Sequence, residues 1–369
     1  MKRLILCAAV IILSALTSCD DLYNDAFSDS KSSVKYYGYV TTTSSLYSYE
    51  VIEDGSFSQI GTPFTGLSSA QRIAAHPSGD YIYVASNGSI LCFKTEDNGS
   101  LTPLAPLVSS VNYYTMVVHP SGKYLYAIAV SASVDPKVYI YNINSDGTLS
   151  FLNTAQRPGA NGANNAIVID SSGSRLFLSG AVVGGSTTYY IWTFTIGTDG
   201  NIIPTSASAY EDFGTSIINM TIHPSKDYLY AILLSNSLHA LKINSNGSFT
   251  AINSDTLILN DIKISASGKN IFTTLPGSVS RSYGVLNTGA FYKISDNTNL
   301  PGAAQKFIEV HPNGKYVYNT DTSATYKSLI CYAADPGGSL SVRTLTAECS
   351  PLNPIDVKII SKTVFGESK

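Results

Sequence analysis

Apolar and polar positions alternate through most of this chain in short runs, broken by Ser-Gly, Asp-Gly and Asn-Gly pairs. Period-two alternation rich in Val, Ile, Tyr and Thr predicts half-buried strands. No segment beyond the N-terminus carries a helical period. One phrase returns: IAAHPSGDYIYVA from Ile73, MVVHPSGKYLYAI from Met116, MTIHPSKDYLYAI from Met220 and IEVHPNGKYVYNT from Ile308. Two further copies lack His-Pro: IVIDSSGSRLFLS from Ile167 and IKISASGKNIFTT from Ile262. A phrase that recurs about every forty to fifty residues marks repeated supersecondary units.

Two turn markers count the repeat. The first falls at Ser78-Gly79, Ser121-Gly122, Ser172-Gly173, Ser225-Lys226, Ser267-Gly268, Asn313-Gly314 and, degenerately, Ser361-Lys362. The second falls at Asp54-Gly55, Asn98-Gly99, Asp146-Gly147, Asp199-Gly200 and Asn246-Gly247, then at Asp296-Asn297 and Gly337-Gly338. Asp-Gly and Asn-Gly tolerate positive φ, as a two-residue hairpin requires. Between markers lie four strands per unit, a to d; in the second unit they are Arg72–His76, Asp80–Ser86, Ser89–Thr95 and Ser100–Leu107. Four strands in a unit of this length predict a propeller blade. The chain enters at strand b (Lys35–Thr41), continues through c (Leu46–Ile52) and d (Ser56–Pro63), and ends on an orphan a strand, Ile355–Ser361. The expected fold is therefore all-β: a seven-bladed propeller over residues 35–369, its ring closed by the C-terminal strand. Closure removes the exposed sheet edges.

Charged residues make up only 13% of the chain, which suits packed sheets. Strand b repeats Tyr-x-Tyr at Tyr81/Tyr83, Tyr124/Tyr126, Tyr228/Tyr230 and Tyr316/Tyr318. Alternate residues share one face, so each pair is expected to pack on a neighbouring blade. Trp192 aligns with Tyr139 and His239 in strand c and is expected to pack too. His76, His119, His223 and His311 join strand a to strand b, and recurrence marks them as turn residues.

In propellers, strands a line the channel, and ligands meet the face built by the d–a and b–c loops. The mouth positions of strand a are Arg72, Thr115, Ala166, Asn219, Asp261, Phe307 and Asp356, flanked by Tyr113, Asn164, Asn165 and Lys306. The longest b–c loops are expected at Ala181–Thr188 and Pro276–Thr288, the second carrying Arg281 and Tyr283. The candidate binding face is thus Arg72, Tyr113, Asn164, Asn165, Asn219, Asp261, Arg281, Tyr283, Lys306 and Asp356. Asp261 and Asp356 are placed to pair with Arg72 across the channel or to act as general acid and base, with Arg72 and Arg281 as cationic candidates. A hydrated polar funnel is the expectation favoured over catalysis.

Residues 1–18 read as an export signal. Lys2 and Arg3 precede the apolar run Leu4–Leu13, and Leu16-Thr17-Ser18-Cys19 resembles the lipobox of bacterial lipoproteins. That resemblance implies cleavage before Cys19, acylation of its thiol and a membrane anchor in the cell envelope, outer membrane included, periplasmic or surface-facing. Residues 19–34 are Ser- and Asp-rich and read as a flexible stalk. Export means an oxidising compartment. Cys92 and Cys331 fit buried strand positions, and a Cys331–Cys349 bridge is one option.

Other chemistry is missing from the pattern. No CxxC, Cys/His cluster, GxSxG, Walker A or HExxH motif is present, so neither metal nor cofactor is expected. A net charge of −3 without a basic stripe argues against nucleic acid. A monomer is expected.

The phrase HPSGKYLYA, followed by a Tyr-rich strand and a DGTL turn (Tyr139–Leu149), resembles the seven-bladed lactonase propellers of the 6-phosphogluconolactonase-like type and the exported YVTN-repeat propellers. The resemblance spans Lys35 to Phe365. It implies the same fold and, as one alternative, lactone or ester hydrolysis using His, Arg and Glu around the central face. No histidine falls on the predicted face, so that set is not matched here. The favoured expectation is a membrane-anchored propeller that binds a small molecule or a protein without turnover; a lactonase and a periplasmic assembly scaffold are the alternatives.

Overall fold

The computed structural model describes residues 32–129, 137–156, 164–183, 187–205, 210–211, 214–256, 259–275, 279–297, 305–322, 329–343 and 353–365. Every regular element among them is a strand. The signal, Cys19 and Cys349 lie outside the described residues, so the anchor and the Cys331–Cys349 option do too. Cys92 is a buried free thiol that burial pushes up to about 12. The propeller unit spans Tyr36–Lys362.

Seven antiparallel sheets form the blades. Blade 2 takes Ile73–Ala75, Tyr81–Ser86, Ser89–Thr95 and Leu101–Pro103 as strands a to d, with Leu107–Val108 extending the outer edge. The outer strand is broken in the same way in blades 1 and 4. A proline at or beside each break (Pro63, Pro103, Pro204) removes a ladder donor, which an edge tolerates. Blade 1 pairs the N-terminal strand Ser32–Thr41 with the C-terminal strand Asp356–Phe365, closing the ring. Ser361 and Lys362 lie inside that last strand, so the degenerate seventh turn does not form. Strand b of blade 1 is the N-terminal strand, so no a–b turn joins the two.

The second marker is corrected in type and, once, in place. In Ile52–Ser56 the Gly55 N–H donates to Ile52 O at 2.9 Å, and the Ile52 N–H to Ser56 O at 2.8 Å. That is a three-residue loop in which glycine alone takes positive φ, +85° at Gly55. The preceding Asp works through its side chain: Asp54 Oδ1 accepts from the Ser56 N–H at 2.9 Å. In blade 6 the turn is not Asp296-Asn297, which lies in strand d (Phe291–Asn297), but Leu286–Ala290. Gly289 has φ +82°, and Thr288 Oγ1 stands where Asp or Asn stands elsewhere. This shift also moves Arg281 and Tyr283 from a loop into strand c (Val279–Val285). In blade 4 strand pairing continues to Val183↔Thr187, leaving only 184–186 between strands b and c.

The two markers meet in space. Each Tyr-x-Tyr pair of strand b sends both hydroxyls to backbone carbonyls of the c–d turn in the next blade. Tyr81 and Tyr83 donate to Ser145 O and Gly147 O; Tyr124 and Tyr126 to Thr198 O and Gly200 O. Tyr228 and Tyr230 donate to Asn287 O and Gly289 O; Tyr316 and Tyr318 to Glu53 O and Gly55 O. Blade 1 adds a pair the repeat search misses, Tyr37 and Tyr39, on Asp97 O and Gly99 O. At the two remaining interfaces Thr193 reaches Gly247 O at 2.7 Å and Asn270 reaches Gly337 O at 3.3 Å.

The repeated histidines stitch the same interfaces at the a–b turns. The Ser121 N–H donates to His119 Nδ1 at 3.0 Å, which leaves the proton on Nε2 to bond Gly173 O at 2.8 Å. His76 does the same to Gly122 O at 3.0 Å. In blade 4 Asp170 replaces histidine and holds Arg175, which crosses to Asp227. Burial pushes His311, whose ring packs tilted against Tyr36, down to about 4. Trp192 is buried beside Tyr190 in the blade 4 core.

A test follows from the Tyr–Gly contact. Gly147 has φ +82°, and a methyl group there would overlap the Tyr81 ring. Gly147→Ala should cost about 2–4 kcal/mol from backbone strain plus overpacking. Tyr83→Phe removes one hydrogen bond and should cost about 1 kcal/mol. Urea denaturation midpoints check the order; a Gly147→Ala protein as stable as wild type would break the account.

Candidate functional site

Strands a of consecutive blades stand side by side around the axis. They surround a central cavity of about 250 Å³, lined by Arg72, Tyr114, Thr115, Asn219, Lys263, Glu309, Asp356 and Lys358 among others. Arg72 sits at the mouth, Nη1 3.5 Å from Asp356 and 4.0 Å from Asp261. Its guanidinium also lies 3.9 Å over the Phe307 ring. The two aspartates hold equivalent positions in their blades. Asp261 accepts the Ile308 N–H of the next strand a at 3.0 Å, and Asp356 accepts the Ile73 N–H at 2.8 Å. Asn219 donates to Asp261 as well, so that carboxylate is fully occupied.

One pleat deeper the same strand face carries Lys263, Glu309 and Lys358. Glu309 lies 2.6 Å from Lys358 and 3.6 Å from Lys263. The sequence search stopped at the mouth positions and missed these three. The signal was present: DIKI at Asp261–Ile264 and DVKI at Asp356–Ile359 repeat an Asp-x-Lys pair, and residues i and i+2 of a strand share a face.

The two signs of charge differ in exposure. The cations face the cavity, with side-chain exposures of 19% for Arg72, 40% for Lys263 and 31% for Lys358. The acids are more buried, at 1% for Asp261, 6% for Glu309 and 12% for Asp356, although Glu309 and Asp356 also line the cavity. Burial pushes the Asp356 carboxyl above the usual range, with Arg72 pulling the other way. Burial opposes the Arg72 charge, and Asp356 and Asp261 more than offset it. Burial likewise opposes the Lys263 charge, and Glu309, Asp261 and Asp356 together more than offset it. Burial raises the Glu309 carboxyl, but Lys358 and Lys263 hold it below its ordinary value.

Of the sequence candidates, Arg72, Asn219, Asp261 and Asp356 converge here. Tyr113 does not: it is buried between blades 2 and 3, bonded to the Tyr141 hydroxyl. Arg281 pairs with Asp296 and Asp255, and Tyr283 donates to Asp255, all at the blade 5–6 interface away from the channel. Lys306 is exposed at the start of its strand and does not line the cavity. Asn164 and Asn165 begin strand a of blade 4, their side chains outside the description. The four repeated histidines lie at the far ends of strands a, and none lines the cavity.

The chain is a seven-bladed propeller with a charged axial cavity, and its structural neighbours are lactonase-like propellers. Pseudomonas aeruginosa periplasmic gluconolactonase, PpgL, matches with TM-score 0.73 at 14% identity, covering 89% of this chain and 99% of its own. A candidate 6-phosphogluconolactonase of Bacteroides uniformis matches with TM-score 0.72 at 15% identity, covering 88% and 99%. A Lactobacillus plantarum protein matches with TM-score 0.72 at 14% identity, covering 89% and 100%. At such identities the likeness establishes the fold. Comparison with protein-family profiles and with curated proteins returns no match.

Glu309 yields a prediction. Its folded-state pKa is depressed, so its ion pairs contribute stability above the unfolded carboxyl pKa, and that contribution is lost as pH falls through the folded value. Glu309→Gln leaves two lysines facing each other and should cost about 3 kcal/mol at pH 7. The difference from wild type should shrink as pH drops below about 4.5. Thermal unfolding at stepped pH reads both; a pH-independent gap would contradict the pairing.

Proposed function

We propose that this propeller binds a small oxygen-rich anion, such as a sugar acid, in its axial cavity without turning it over, and that Cys19 tethers it to a bacterial envelope membrane. The unequal exposure of the charges carries the ligand reading: three cations reach the cavity with more exposed side chains than the acids that pair with them. A carboxylate or phosphate meeting Arg72 and Lys263 gains charge-assisted hydrogen bonds, which exceed neutral ones in strength. Asp261 and Asp356 are occupied by backbone N–H groups and Arg72, which favours a holding role over proton transfer.

A second reading, lactone hydrolysis, has its own support. Asp356 is a carboxyl raised by burial and set beside a cation, a combination suited to general acid–base work. The fold is also that of a gluconolactonase.

One set of titrations separates them. Full-length protein should bind gluconate or 6-phosphogluconate in preference to glucose. Lys263→Met, which leaves Lys358 on Glu309, should weaken the anion about tenfold or more. Absence of anion binding by calorimetry would sink the binding reading. Gluconolactone hydrolysis above the spontaneous rate, lost in Asp356→Asn, would transfer the assignment to a lactonase.

The tether rests on the Leu16–Cys19 motif. Cys19→Ser should move the protein from the membrane to the soluble fraction, and mass spectrometry of the native N-terminal peptide should find acyl chains. Retention of the Cys19→Ser variant in membranes would argue against it.

A further inference from the structure

A second concavity lies beside the axial cavity. It encloses about 240 Å³ between blades 2 and 3 and is lined by Ser69, Gln71, Asn87, Asn112 and Tyr113. Its chemistry is the opposite of the channel's: every lining side chain is polar and uncharged. Asn112 uses its Oδ1 to accept the Gly88 N–H at 2.9 Å, which leaves its amide NH₂ as a donor. Gln71 uses its NH₂ on Ser69 O at 3.3 Å, which leaves its Oε1 as an acceptor. Asn87 and Ser69 are exposed on the same rim and offer both kinds of group. Donors and acceptors offered together suit hydroxyls, since each hydroxyl both gives and takes a hydrogen bond.

The two sites are lined by neighbouring residues. Gln71 lines the groove, and the next residue, Arg72, lines the cavity; Tyr113 lines the groove, and Tyr114 and Thr115 line the cavity. Consecutive Cα atoms stand about 3.8 Å apart, so the two concavities lie within reach of one ligand of two linked units. We propose that the groove is a subsite for an uncharged, hydroxyl-rich unit joined to the anionic unit held in the cavity. The ligand class is then an acidic glycan fragment of at least two sugars, with the acid at the axis and its neutral neighbour over blades 2 and 3. This rests on the anion-binding reading of the cavity.

The test compares two probes on full-length protein by calorimetry: glucuronic acid, and the disaccharide of glucuronic acid linked to xylose. The disaccharide should bind about tenfold tighter, the worth of one or two net hydrogen bonds. In the double variant Gln71→Ala, Asn87→Ala that ratio should fall to about one, whereas Lys263→Met should weaken both probes and keep the ratio. Glucuronic acid binding with no gain for the disaccharide overturns the subsite and leaves the anion site standing. A gain that survives Gln71→Ala, Asn87→Ala overturns the groove's part in it. If neither acid binds, the cavity reading and the subsite fall together.

Discussion

The fold depends on a contact between a tyrosine hydroxyl and a turn carbonyl one blade away. A blade cannot cover its own apolar face, so each interface must be held at a fixed angle for seven to close. Tyr-x-Tyr on strand b supplies two aromatic rings and two donors, and the c–d turn of the next blade supplies two carbonyls. The glycine of that turn is required twice, once for its positive φ and once because the tyrosine ring lies where a Cβ would stand. The same geometry across the closing interface, Tyr316 and Tyr318 on Glu53 O and Gly55 O, joins residues 263 apart in sequence. Chain ends and repeat interior are therefore held by one kind of bond.

The axial site inherits its order from that ring. Asp261 and Asp356 reach the backbone of the next strand a, at Ile308 and Ile73, and so tie adjacent blades at the mouth. Having taken up those N–H groups, each carboxylate stays buried and holds Arg72 in front of it. Glu309 does likewise for two lysines. Buried acids paired with more accessible cations make a preorganised anion surface, since the cations are already oriented before a ligand arrives. The groove over blades 2 and 3 adds neutral polar groups to the same rim.

Much of this was legible in the repeat. Blade count, strand order and ring closure follow from two markers out of phase, and register alone placed Arg72, Asn219, Asp261 and Asp356 at one mouth. The errors had local causes. Blade 6 uses Asn-Thr-Gly where a search for Asp-Gly or Asn-Gly looks, and that lapse carried Arg281 and Tyr283 into a loop. Tyr37 and Tyr39 escaped notice because their blade lacks the His-Pro phrase in the chain before them. Lys263, Glu309 and Lys358 were missed because only the first inward position of each strand a was counted.

The sequence by itself determined the blade: alternation sets the buried faces, and turn glycines set the hairpins, because both are local properties of neighbouring residues. It also determined which residues share a strand face, and hence that Asp261 and Lys263 point one way. What only the tertiary structure decided is which charge is the more accessible. Arg72, Asp261, Glu309 and Asp356 come from four different blades, and their depth relative to one another depends on blade tilt and side-chain reach. Those follow from interface packing summed around the ring, a quantity that no single segment of the chain contains.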